Sequence, residues 1–177
     1  MKVSLICLVC LVVLTGCGGG GGGGGVQNLA PTAVLATSLS PVTRGTWFTS
    51  ICTYSDANGA ADLRDCKFGI TPTDNRVCFK YARDTNRLYA FSSTTFTWGP
   101  IGGIAPGTNI TIDSADAILD CANTTITTVA NTITVSYRMQ LKPAMTADTY
   151  TLSLSCTDVG GLSTGALWVD FGSVTVQ

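Results

Sequence analysis

The chain has 177 residues, 11 acidic and 10 basic groups, a formal net charge of −1 and no histidine. A near-neutral balance gives no electrostatic grip on nucleic acid. The lack of histidine removes the commonest general base and a principal zinc ligand. The 27 threonines, the absence of glutamate and the load of β-branched residues disfavour helices and predict an all-β fold.

The first element is a leader. Lys2 supplies a minimal positive start, and Val3 to Leu14 is a nearly unbroken apolar run. It is shorter than the roughly 20 apolar residues of a membrane span and reads as a cleaved signal. The run ends in Leu14-Thr15-Gly16-Cys17, a bacterial lipobox, so cleavage before Cys17 and lipid on its thiol are expected. Gly18 to Gly25 follow without interruption. No strand precedes them and no helix follows, so they are a tether rather than a phosphate loop. Its reach is about 15 Å, which keeps the folded part close to the membrane. Position 18 is not the Asp that typically retains lipoproteins at an inner membrane. The expected organisation is a signal peptide over 1–16, a lipidated cysteine and linker over 17–29, and a β-sandwich over 30–177. The expected location is the bacterial cell envelope, lipid-anchored, at an outer membrane or the cell surface.

Beyond the tether, short runs of Val, Ile, Thr and aromatics recur in chain order. They are Thr46 to Tyr54, Leu63 to Ile70, Val77 to Tyr81, Arg87 to Phe91, Asn109 to Ile112, Thr124 to Val129, Thr132 to Leu141, Thr149 to Thr157 and Ala166 to Val176. Turn clusters separate them, among them Ser55-Asp56-Ala57-Asn58-Gly59, Thr71-Pro72-Thr73-Asp74-Asn75 and Asp158-Val159-Gly160-Gly161. Many short strands at regular spacing predict an antiparallel sandwich of roughly 7–10 strands. Tyr150, Leu152, Leu154 and Cys156 alternate with Thr151, Ser153, Ser155 and Thr157, which predicts a strand with one polar face. Ser114 to Leu119 reads as a helical turn.

Thr53-Tyr54-Ser55-Asp56-Ala57-Asn58-Gly59-Ala60-Ala61-Asp62-Leu63 resembles the opening strand and loop of a bacterial cell-surface immunoglobulin-like module. Asn86-Arg87-Leu88-Tyr89, Trp98-Gly99-Pro100, Ala105-Pro106-Gly107, Ile118-Leu119-Asp120-Cys121, Asn131-Thr132-Ile133-Thr134-Val135 and Asp158-Val159-Gly160-Gly161-Leu162 extend the resemblance in order. It implies an immunoglobulin-like sandwich at the cell surface and carries no established chemistry.

After leader removal and lipidation, Cys52, Cys66, Cys78, Cys121 and Cys156 remain, an odd number in a compartment that permits disulfides. In an immunoglobulin-type sandwich Cys52 and Cys156 fall on the two strands that an inter-sheet bridge joins, and Cys78 with Cys121 is the next pairing. The competing arrangement pairs Cys66 with Cys52 or Cys156.

Few constellations carry chemistry. Gly161-Leu162-Ser163-Thr164-Gly165 has the spacing of a nucleophile elbow but lacks the α/β context and the histidine. No enzyme is expected. Asp56, Asn58 and Asp62 lie in the loop between the runs Thr46 to Tyr54 and Leu63 to Ile70, and Asp158 in the loop before the last run. Immunoglobulin-like folds bring these loops to one end, and oxygen ligands suit calcium. The other reading is that these residues simply make turns. Trp98 is the aromatic expected to be exposed for contact. The expected function is an envelope lipoprotein that binds or adheres to a protein or glycan. The alternative is a structural lipoprotein packed into a larger surface assembly.

Overall fold

The computed structural model describes residues 27–37, 39, 41–70, 76–165 and 168–177. The leader, Cys17, the glycine tract and the turn over 71–75 lie outside the described residues. Among the described residues there are twelve strands: β1 (Thr32–Leu35), β2 (Trp47–Ser55), β3 (Leu63–Ile70), β4 (Val77–Ala82), β5 (Arg87–Ser92), β6 (Thr97–Ile104), β7 (Thr111–Asp113), β8 (Ala117–Asp120), β9 (Thr125–Val129), β10 (Thr132–Leu141), β11 (Thr149–Asp158) and β12 (Val169–Thr175). No described helix is long and apolar enough to cross a membrane.

Two antiparallel sheets face each other, β1-β2-β10-β8-β7 with β9 also on β10, and β12-β11-β3-β4-β5-β6. The order β1-β2-β10-β8 against β12-β11-β3 is that of an immunoglobulin sandwich, and β4 and β5 extend the second sheet as in its variable-type form. The alternating pattern of the sequence drives this packing. On β2, Ser50, Cys52 and Tyr54 point inward, and on β10 every second residue from Ile133 to Leu141 is buried. The register aligns Tyr54 with Ile133 and Cys52 with Val135, so both strands bury the same face. Phe68, Ile70, Phe79, Leu88 and Leu154 answer from the other sheet. Phe68 stacks on Tyr137 with ring centroids 5.8 Å apart. Two buried tyrosines bond the sheets together: Tyr54 donates to the Lys67 carbonyl at 2.9 Å and Tyr137 to the Cys66 carbonyl at 2.7 Å.

Several expectations are corrected. The strand number exceeds the expected 7–10 because β1, β6 and β8 are added. Residues expected to make a helical turn instead lead into β8, which pairs with both β7 and β10. Trp98 is the second residue of β6. Pro100 is tolerated there because β6 is an edge strand, which needs no donor on its outer side. The polar face of β11 is covered: Ser153, Ser155 and Thr157 are buried. Ser153 donates to Asp170 at 2.7 Å, and the Thr157 and Ser163 hydroxyls are 3.2 Å apart.

Candidate functional site

The loop after β2 and the end of β11 meet at one tip of the sandwich. Turns built by Gly59 N–H on the Asp56 carbonyl and Asp62 N–H on the Gly59 carbonyl fold the β2–β3 loop back on itself. Gly59 takes φ of 115°, where a side chain would be strained. Asp56 Oδ1 accepts the Asn58 N–H at 2.7 Å and so fixes the turn. Val159 N–H donates to the Asp62 carbonyl at 2.7 Å, joining the two loops. Carboxylate oxygens of Asp56, Asp62 and Asp158 thereby come within 4.8 Å of one another.

Asp56 is 1% exposed and Asp158 fully buried, while Asp62 is half-buried at the rim. Asp158 is well partnered: Oδ1 accepts the Leu162 N–H at 2.7 Å and Oδ2 the Asn28 amide at 2.9 Å. Asp56 Oδ2 has no hydrogen-bond partner among the described residues. Burial pushes the Asp56 carboxyl above its usual range; the Asn58 N–H opposes that, and the charges of Asp62 and Asp158 add to it. The fourth residue chosen from the sequence, Asn58, faces another way. Its amide accepts from Leu29 N–H and donates to the Gln27 carbonyl, so it holds the chain entering the domain. Sequence reasoning placed Asn28 in the linker and missed it, since nothing in its neighbourhood signals a contact 130 positions away. Gly160 is the other missed residue: a Cβ there would lie 2.3 Å from the Asn28 amide nitrogen.

The second feature is an aromatic strip on the outer face of β4, β5 and β6. Tyr89 and Phe91 alternate with buried Leu88 and Ala90, so they point outward. Trp98 pairs with Phe91 across β5 and β6, with ring centroids 5.3 Å apart and edge-on. Phe96 joins from the β5–β6 turn at 6.5 Å from Phe91 and is 74% exposed. Lys80 sets its ammonium 4.9 Å from the Tyr89 ring centroid and 5.0 Å from that of Trp98, and 3.3 Å from Asp65. Trp98 itself is half-exposed, as are Trp47 and Trp168. Gly103 lets β6 close over Tyr89, where a Cβ would sit 2.6 Å from the ring.

The cysteines correct the disulfide expectation. Cys52, Cys66, Cys78, Cys121 and Cys156 are all buried free thiols. Cys156 faces Cys66 in register on the adjacent strand, with sulfurs 3.9 Å apart. The two are cross-strand neighbours, and neighbouring strands lie about 5 Å apart. Cys52 lies 3.6 Å from the Ser50 hydroxyl. Cys78 shares the outward parity of Lys80 and stays outside the core that contains Cys121, so that second pair is not formed either.

No family model matches the chain. No curated protein matches it. Among solved structures it is similar to one described as "GspB Siglec domain", at 16% identity and a TM-score of 0.45, over 85% of this chain and 59% of that one.

Proposed function

We propose that this chain is a membrane-anchored envelope lipoprotein whose β-sandwich binds a glycan or protein ligand through the aromatic strip of β5 and β6. The observation that carries the reading is the strip itself, with Phe96, Phe91 and Trp98 packed edge to face on the solvent side of an edge strand. Rings already held by one another lose little freedom on binding. Flat apolar faces suit the C–H side of a sugar ring or an apolar side chain. Lys80 lies alongside for polar contacts. The lipobox at Cys17 supports the anchor. No catalytic role is part of the reading.

A glycan array probed with the full-length protein, followed by co-isolation from intact envelopes, tests it. Trp98→Ala should abolish capture of glycan or partner while leaving the melting temperature unchanged. Equal capture by wild type and Trp98→Ala would overturn the reading. The structural alternative draws on β9, whose Thr125, Thr127, Thr128 and Val129 are exposed on a strand that, among the described residues, pairs with β10 alone. Such an edge can accept a partner strand. A partner lost on Thr128→Lys but kept on Trp98→Ala would favour that alternative.

A further inference from the structure

We propose that Asp56, Asp62 and Asp158 hold a calcium ion at the tip of the sandwich, and that the ion fastens the segment 27–29 through which the chain enters the domain. Three carboxylates within 4.8 Å match the spread of ligands around one calcium, since oxygens on opposite sides of an ion at about 2.4 Å are about 4.8 Å apart. A cluster of acids alone would not carry this. The deciding observation is Asp56, which is 1% exposed, has a carboxylate oxygen with no hydrogen-bond partner among the described residues, and shares the cluster with two further carboxylates. An ionised carboxylate without a partner is among the most costly groups to bury. A hard divalent cation supplies the missing partner and cancels the mutual repulsion.

The surroundings fit an oxygen-coordinated ion. An open depression lined by Asn28, Asn58, Asp62, Arg83 and Gly160 borders the cluster and gives solvent access at Asp62. The Arg83 Nε donates to the Leu63 carbonyl at 2.8 Å. No histidine exists in the chain, and the members of the cluster are all carboxylates, which excludes a soft-ligand site of the zinc type. Magnesium keeps several of its own waters and demands stricter geometry, whereas calcium accepts irregular carboxylate sets. Because the Asn28 amide bonds Asp158 and Asn58 grips Gln27 and Leu29, loading the ion stiffens both loops and the entering chain together.

The test uses full-length protein in detergent, stripped with chelator and titrated with calcium chloride or magnesium chloride. Calcium modules outside the cell have dissociation constants of about 0.1–1 mM. Adding about 10 mM calcium should therefore raise the melting temperature by roughly 3–11 °C. Calorimetry should report one site. Asp56→Asn should abolish the calcium response yet melt higher than wild type in chelator, because the buried charge is gone. Asp62→Asn, at the half-exposed rim, should weaken the response at least tenfold and serves if the first variant does not fold. No shift in wild type at that concentration, an equal shift in both variants, or an equal shift with magnesium would overturn the proposal.

Discussion

Asp56 keeps one oxygen on the Asn58 N–H and leaves the other without a partner among the described residues, in a carboxylate group that lies beside those of Asp62 and Asp158. Its carboxyl is raised above the ordinary value of 3.8, chiefly by burial. A raised carboxyl binds its proton more tightly in the folded state than in the unfolded one. Its favourable contribution is complete below 3.8 and lost as pH rises through the folded value. In chelator, Asp56→Asn should therefore be more stable than wild type at neutral pH, with the gap closing as the pH falls toward 4. Paired thermal melts across pH measure this, and a gap independent of pH would contradict it. The thiols make a second prediction. Burial pushes Cys52 and Cys78 up to about 12 and Cys121 to about 11. Thiolates are the reactive form, so folded protein should resist iodoacetamide at pH 8 and react fully in denaturant. The same shift favours unfolding as pH rises from 9 toward 12, since the unfolded thiols ionise first. Mass mapping of a labelled Cys52 in folded protein would refute the thiol prediction.

Among the elements, β2 and β10 do most to join the sheets. Each offers a fully buried tyrosine whose hydroxyl bonds the backbone of β3. Tyr137→Phe keeps the stack on Phe68 and removes one hydrogen bond, so it should cost about 1 kcal/mol. That corresponds to a fall of roughly 2–4 °C in melting temperature for a domain of this size. Urea titration gives the same quantity, and an unchanged midpoint would mean that the bond contributes nothing. The strands with clean alternation or dense β-branching were legible in the sequence: β3 and β10 lie where the pattern places them, and β2 and β11 within one residue. β6 was not, because Gly99, Pro100, Gly102 and Gly103 read as turn chemistry. An edge strand tolerates them, and only the sheet order identifies an edge. β8 was missed because a four-residue strand is too short for a period to register.

For the whole molecule, the functional reading depends on placing the aromatic strip and the acidic tip outside a membrane. If Cys17 carries the lipid, Cys17→Ser should move the protein from the membrane fraction to the soluble envelope fraction and block normal processing. Fractionation with mass measurement of the mature N-terminus checks this, and unchanged membrane association with an unmodified N-terminus would sink the anchor. The strip lies on β5 and β6 and the tip on the β2–β3 loop and the end of β11, so Trp98→Ala should leave the calcium response intact and Asp56→Asn should leave capture of the ligand intact. Loss of both by either variant would indicate a folding defect rather than a site.

Composition and alternation by themselves determined that this chain is an all-β sandwich, because which residues can be buried follows from a period of two and needs no knowledge of the partner strand. They also placed Asp56 and Asp62 in a loop, since those residue types favour turns, whereas Asp158, expected in a loop, is the last residue of β11. The tertiary structure alone decided which groups meet. Cys156 meets Cys66 because a register pairs neighbours within one sheet. Asn28 reaches Asp158 because Gly160 leaves room for it. Asp56 has an orphaned oxygen because the two loops close over it. Contacts between residues distant in sequence depend on strand order and loop closure, and local preferences contain no record of either.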